Sequence, residues 1–217
     1  MNSIRDLRLI IGSYDKLSLF HKLFISIRYL IVPWNKVVNS VGVSGKVLDI
    51  GSGHFLFPNL LCGKRPDINC YGYEPDGDKI RLITDNLKVD RVHVVSKEHL
   101  QNLPDNIFDY ITIVDVLYCV EPDKWSDILD LAHRLLKPTG QLIVKETDNK
   151  PWRKYAWCLF QEYLAIKVLR FTQGSTPHFF AADYYVSKFK KNGFEIVNHY
   201  AIDSWYLWPH HLFIFKK

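Results

Sequence analysis

Lys46-Val47-Leu48-Asp49-Ile50-Gly51-Ser52-Gly53 decides the fold. Val47, Leu48 and Ile50 form a short apolar run that passes directly into two glycines, and residues 56–61 then carry apolar side chains too densely for a loop. The pattern predicts strand, glycine turn, helix. A turn of this kind lets a ligand approach the backbone and presents the amides of a helix N-terminus. That is how open α/β sheets bind nucleotides at the carboxyl ends of their strands.

Moving downstream, Cys70-Tyr71-Gly72-Tyr73-Glu74 reads as a second strand ending in an acid. An acid about 20 residues beyond the glycine turn is placed to accept hydrogen bonds from ribose hydroxyls. A nicotinamide dinucleotide shares both features, but its fingerprint needs a third glycine at position 56, which here is Leu56. Without it the pyrophosphate loses its cradle, so the residues favour a nucleoside lacking one.

Further apolar runs at 92–95, 110–114 and 141–145 alternate with helical patterns at 78–87 and 125–136, and 194–199 and 212–215 read as closing strands. This is βαβ punctuation. The expected class is α/β, a doubly wound, mostly parallel sheet with helices on both faces. At 217 residues one domain is expected.

Composition narrows the partners. With 47% hydrophobic and 24% charged residues the chain falls in the globular range. Cys62, Cys70, Cys119 and Cys158 form no CxxC pair, which argues against a zinc site or disulfide framework and fits a reducing cytoplasm. The formal charge of +5 suits an anionic partner, yet no dense Lys/Arg run gives a strong nucleic-acid signal. Oligomeric state is not legible.

Residues 17–32 are rich in Leu, Ile and Phe, but His21, Lys22 and Arg28 break the run. It therefore falls short of the roughly 20 apolar residues of a spanning helix, and its flanks do not fit a secretory leader. On a helix, Ser18, His21, Lys22, Ser26 and Arg28 share an arc of about 160°, into which Ile25, Tyr29 and Val32 intrude. Two readings stand for this amphipathic helix. One is a lid that packs its apolar side on the domain or on substrate; the other is a segment lying in a lipid headgroup layer. The expected organisation is a helical lid or membrane-surface segment over 1–40 and a main domain over 41–217, with a substrate-recognition insertion at about 150–182. The expected location is cytoplasmic, with attachment to the inner face of a membrane under the second reading.

From about Val43 to the C-terminus the chain resembles the class I S-adenosylmethionine-dependent methyltransferases, whose fold is Rossmann-like. Val47-Leu48-Asp49-Ile50-Gly51-Ser52-Gly53 looks like the first motif, Glu74-Pro75-Asp76 like the ribose-binding acid and its turn, and Val114-Asp115-Val116-Leu117 like the cofactor-facing end of the fourth strand. Leu103-Pro104-Asp105 with Phe108-Asp109-Tyr110-Ile111 resembles the entry to that strand, and residues 135–142 the helix end, Pro/Gly turn and fifth strand. The resemblance implies S-adenosyl-L-methionine as cofactor, its methionine end held by Asp49, Gly51, Ser52 and Gly53. It implies Glu74 and Pro75 at the ribose, Glu98 and His99 near adenine, Val114 and Asp115 lining the cleft, and an antiparallel last strand. One departure stands out: Phe55, preceded by His54, occupies the place of the family's third glycine. Its ring narrows the site, swings outward, or marks a chain without catalysis.

Methyl transfer from a sulfonium needs positioning and, for a protonated acceptor, a base. Glu146, beside Lys145 and Asp148 after the fifth strand, is the first choice for base or acceptor-orienting group; Tyr118 follows the fourth strand. His210 lies in Trp205-Tyr206-Leu207-Trp208-Pro209-His210-His211, similar to endings of polyene-pigment and lipid-linked methyltransferases. Adjacent histidines on a strand face opposite sides, so no metal is expected. Trp152, Tyr155, Trp157, Phe160, Tyr163, Phe171, Phe179 and Phe180 crowd the expected insertion and its margin, which suggests a small hydrophobic, aromatic or lipid-linked acceptor and O- or C-methylation. Two alternatives remain. Phe55 motivates a non-catalytic cofactor-binding partner subunit. A nucleic-acid methyltransferase is the other, against which Asp115-Val116-Leu117-Tyr118 replaces the Asn/Asp-Pro-Pro-Tyr/Phe run of base methylation.

Overall fold

The strand that carries Leu48 lies at the heart of a seven-stranded sheet. A computed structural model gives the structure and describes residues 3–149, 177–202, 206 and 208–217. Helices α1 (Ile4–Gly12), α2 (Leu19–Ile31) and α3 (Trp34–Ser40) precede β1 (Ser44–Ile50). There follow α4 (Leu56–Lys64), β2 (Asp67–Tyr73), α5 (Gly77–Thr84), β3 (Val92–Val95), α6 (Lys97–Asn102), β4 (Phe108–Val114), α7 (Trp125–Leu135), β5 (Leu136–Thr147), α8 (Ala182–Lys191), β6 (Glu195–Ile202) and β7 (His210–Lys216). The order across the sheet is β3-β2-β1-β4-β5-β7-β6. The first five strands are mutually parallel, and β7 enters antiparallel to β5 and β6. The Rossmann-like sheet with an antiparallel C-terminal strand is therefore as expected.

Register aligns the strand ends. Ile50 lies opposite Tyr73 and Ile113, Val114 opposite Lys145, and Thr147 opposite His210. The glycine turn, Glu74, Asp115, Glu146 and His210 thus meet at one edge, because the first five strands end there and β7 begins there.

The sheet separates two apolar cores. Val47, Ile68 and Cys70 bury with residues of α1–α4, and Leu48, Ile50, Ile111 and Ile113 bury with α7 and α8. Side chains that alternate along each strand feed both layers, as a sheet covered on two faces requires.

Three sequence expectations need correction. The Lys137-Pro138-Thr139-Gly140 stretch is not a turn ahead of the fifth strand. It lies inside β5, where pairing with β4 jumps from Phe108↔Leu136 to Tyr110↔Gln141, so the extra residues are absorbed as a bulge. The helix at 78–87 stops at Thr84, and Asn86 instead accepts from the Asp15 and Lys16 backbone amides through its carbonyl and side chain.

The N-terminal segment holds the third. α1–α3 share a core with α4, and in α2 it is the intruding Ile25, Tyr29 and Val32 that turn inward, while Leu19, Phe20, Leu23, Ile27 and Leu30 are exposed. The apolar side expected to pack on the domain faces out. Tyr29 fixes this orientation: its hydroxyl accepts from the Ser3 amide (2.8 Å), and its one proton has the Ser3 carbonyl (3.1 Å) and the buried Asp6 (3.2 Å) within reach. Among the described residues no helix is long and apolar enough to cross a membrane. Of the expected insertion at 150–182, residues 150–176 lie outside the described residues.

Candidate functional site

The glycine turn is closed by β2. Gly51 and Ser52 donate their N–H groups to the Tyr73 carbonyl at 2.8 and 2.9 Å, and Ser52 Oγ donates to the Asp49 carbonyl at 2.9 Å. Gly51 adopts φ +77°, and a Cβ there would stand 2.5 Å from Val116 on the β4 side, so only glycine fits. The N–H of Gly53 donates to Glu74 Oε2 at 2.7 Å, and that of Asp76 to Oε1 at 3.1 Å. Asp76 then caps α5 by accepting from the Asp78 and Lys79 amides. The turn and the acid ending β2 are therefore one unit, with open space on the side where a Cβ of Gly53 would point.

Phe55 stands at the start of α4 with φ +58°, and its ring is fully buried in the first core. It lies against Gly72 of β2, where any Cβ would strike the ring. The ring does not swing outward: it lies inside the core, packed against β2.

Asp49 is buried and accepts from Thr112 Oγ1 at 2.6 Å. Burial pushes its carboxyl up to about 7 against the pull of the Thr112 and Ser52 hydrogen bonds, and the nearby charge of Glu74 adds to the rise. Between the unfolded value near 4 and about 7, the folded chain holds a proton that the unfolded chain has released. Stability should therefore fall as pH rises through that window. Urea unfolding of cofactor-free wild type is expected to lose up to a few kcal/mol more between pH 5 and pH 8 than Asp49→Asn loses; equal losses would refute the assignment.

α2 roofs the turn. The ring of Phe24 lies 5.0 Å and that of His21 6.0 Å from the ring of His54, and Tyr14 donates its hydroxyl to the His54 carbonyl. Burial, aided by Lys79, lowers the His54 imidazole to about 4. One turn further along α2, Arg28 reaches Asp115 at 3.5 Å.

Beneath Arg28 lies a buried polar cluster. Asp115, at φ +55° just past β4, forms an ion pair with the fully buried Lys145 of β5. Burial alone would raise Asp115, but Lys145 and Arg28 hold it below the usual carboxylate value. Next door, Glu146 is fully buried, and its Oε1 accepts from the Val116 and Leu117 amides at 3.0 and 2.8 Å. Burial, then the charge of Asp115, pushes it up to about 8. Its geometry is that of a clamp on the chain leaving β4. Its other oxygen, Oε2, is buried with no hydrogen-bond partner among the described residues.

His210 is buried, with Nε2 2.9 Å from the Ile31 carbonyl at the end of α2. Since a carbonyl only accepts, Nε2 carries the proton and Nδ1 presents a lone pair. Burial and Lys145 hold the ring neutral, well below its usual value. Nδ1 has no hydrogen-bond partner among the described residues. Around it, Tyr206 and Trp208 approach with ring centroids at 5.4 and 6.3 Å, and Tyr118, also buried, stacks on Phe179 at 5.0 Å. The His178 amide donates to the Tyr118 carbonyl at 2.7 Å, bringing the chain after 176 to the end of β4.

The remaining expected residues are more peripheral. Pro75 is exposed beside Glu74, and Glu98 and His99 are exposed on the first turn of α6. Val114 is buried at the end of β4. His211 points away from His210, its Nε2 3.1 Å from Asp148 and its Nδ1 2.7 Å from His199 Nε2. No metal-ligating cluster occurs among the described residues. Sequence reasoning missed Arg28 as a partner of Asp115; its only signal was a cation on the arc of α2 that also holds buried apolar residues.

Comparison with known proteins agrees with this geometry. The tRNA N(3)-cytidine methyltransferase METTL2 of Mus musculus is 26% identical over 154 residues, 63% of this chain and 40% of that relative. The matches span from 29% to 55% of the length of the curated relatives. Human N-acetylserotonin methyltransferase, solved with SAM, superposes with a TM-score of 0.68 at 14% identity, covering 91% of this chain and 55% of that one. A SAM-dependent methyltransferase from Archaeoglobus fulgidus superposes with a TM-score of 0.64 at 16% identity, covering 92% of this chain and 100% of that one. Residues 28–199 match the methyltransferase domain family, from Arg28 through β6. With that match spanning the glycine turn, Glu74 and the Asp115 cluster, the chain belongs to the methyltransferase domain family, and its fold is that of the SAM-dependent methyltransferases on which it superposes.

Proposed function

We propose that this chain transfers a methyl group from S-adenosylmethionine to a small hydrophobic, aromatic or lipid-linked acceptor. The residues present fit the donor. Each Glu74 oxygen holds one backbone amide, which leaves carboxylate lone pairs for two ribose hydroxyls. The space beside Gly53 admits a ligand, and Asp49 and the 51–53 backbone supply polar groups for its amino-acid end. Glu98 and His99 on α6 are the groups proposed for adenine, with Pro75 and Val114 as walls. When bound, S-adenosylmethionine supplies an electrophilic methyl already activated by its sulfonium. The chain's own contribution is then placement, worth roughly 7–11 kcal/mol of barrier.

The observation that carries the acceptor class is the aromatic set at the strand ends: Tyr118, Phe179, Trp208 and Tyr206 beside the neutral His210. Such a wall favours apolar or aromatic groups, with a few polar atoms to orient them. In this reading His210 Nδ1 accepts a hydrogen bond from the acceptor and Tyr118 lines the pocket, while Glu146 keeps the β4 exit in place. The Arg28–Asp115–Lys145 cluster lies at this same end of the sheet.

A second reading, a tRNA acceptor, draws support from the METTL2 and METTL6 tRNA methyltransferases that the chain resembles. One experiment separates the two. Protein incubated with methyl-labelled donor, mixed lipids and phenols, and total tRNA should put its label in the organic phase. Label confined to RNA would replace the first reading with the second, and cofactor binding with no label in either phase would favour a non-catalytic subunit.

A further inference from the structure

α2 is apolar on two opposite sides. Ile25, Tyr29 and Val32 bury against the domain, while Leu19, Phe20, Leu23, Ile27 and Leu30 are 84, 54, 58, 51 and 62% exposed. At 100° per residue the five exposed side chains fall within an arc of about 100°, so they form one stripe roughly 20 Å long. A stripe of large apolar side chains in water costs free energy unless something covers it.

Charge indicates what does. The first 40 residues hold six Lys/Arg (Arg5, Arg8, Lys16, Lys22, Arg28 and Lys36) against Asp6 and Asp15, and so contribute most of the chain's +5. The two acids are matched from later in the chain, Asp6 by Lys64 at 2.7 Å and Asp15 by Lys88 at 2.8 Å. Arg28 turns inward to Asp115, whereas Arg5, Arg8, Lys16, Lys22 and Lys36 are exposed. An apolar stripe on one helix, in an N-terminal segment that carries five exposed cations, suits the headgroup boundary of an anionic bilayer, where such helices lie about 5–10 Å deep. A stable protein interface needs about 800 Å² per partner, more than one such stripe offers.

We infer that the outer face of α2 docks this protein on an anionic lipid surface. The same helix roofs the site, with Phe24 and His21 over His54 and Arg28 on Asp115. Docking therefore places the site directly under the lipid boundary, and the acceptor enters from the lipid side. That last consequence rests on the methyltransferase reading; the docking does not.

The test uses the full chain, vesicles of phosphatidylcholine with about 30% phosphatidylserine, and the double variant Leu23→Glu/Ile27→Glu. Val197→Glu, at an exposed apolar position on β6, is the control. Wild type and control should pellet with the vesicles, less so at high salt, and the double variant should partition at least about tenfold more weakly. Because both substituted side chains are exposed, thermal melting should be unchanged. Wild type that stays in solution, or a double variant that pellets equally, overturns the inference. So does a wild-type dimer that the double variant converts to monomer, since a second copy would then cover the stripe. Calorimetry with S-adenosylmethionine alongside keeps the two readings apart: cofactor binding without vesicle binding removes only the docking, and the reverse removes only the methyltransferase reading.

Discussion

Glu74→Ala is expected to weaken S-adenosylmethionine binding by about a hundredfold or more, read by titration calorimetry. Hydrogen bonds to a charged acceptor contribute roughly 1.5–3 kcal/mol each, and the substitution deletes the carboxylate proposed for two ribose hydroxyls. It also releases the Gly53 and Asp76 amides, so the turn and the α5 cap loosen together. Glu74→Gln separates these effects. The amide keeps an oxygen for Gly53 but loses the charge, and its affinity should fall between wild type and the alanine variant. Wild-type affinity in both variants would show that the sugar is held elsewhere.

Asp115→Asn should be the most damaging single change to stability. Lys145 is fully buried on β5, and Asp115 is the carboxylate that pairs with it. Removing one member of a buried pair costs about 3–5 kcal/mol, because the other charge stays out of water without compensation. For a chain of this size that corresponds to a fall in Tm of roughly 10 °C. Asparagine is chosen because it tolerates the left-handed backbone at this position, which keeps strain out of the comparison. Lys145→Met should also destabilise, but less, since Arg28 still faces the carboxylate. Combining the two should restore much of the loss, as replacing a whole buried pair often does. Losses that simply add in the double variant would mean that the two groups do not act as a pair. The pH dependence has the opposite sign to that of Asp49. Asp115 is held low, so its contribution is present at neutral pH and disappears only as pH falls through its folded value.

Local chemistry made much of the fold legible before any coordinates. Short apolar runs, the Gly51-Ser52-Gly53 turn and the acid at Glu74 fix the βαβ order and the edge where the turn lies, because backbone preference and hydrophobic patterning act over a few residues. The same short range explains the errors. Pro138 and Gly140 carry a turn signal that pairing with β4 overrides, absorbing them in a bulged β5. The arc of α2 that packs inward could not be read from its own sequence, since both sides are apolar; Ser3 and Asp6 on α1 decide it by holding Tyr29. The polar cluster past β4 was decided in the same way. Glu146 and Lys145 meet their partners because β5 lies beside β4, and His210 joins them because β7 lies beside β5; only those long-range pairings set a clamp on backbone amides, a neutral imidazole and a buried cation next to one another. Sequence by itself determined the strands, the glycine turn and the acid that ends β2. Tertiary structure decided which polar groups face each other, because burial and partner charge, not residue type, set their protonation and their use.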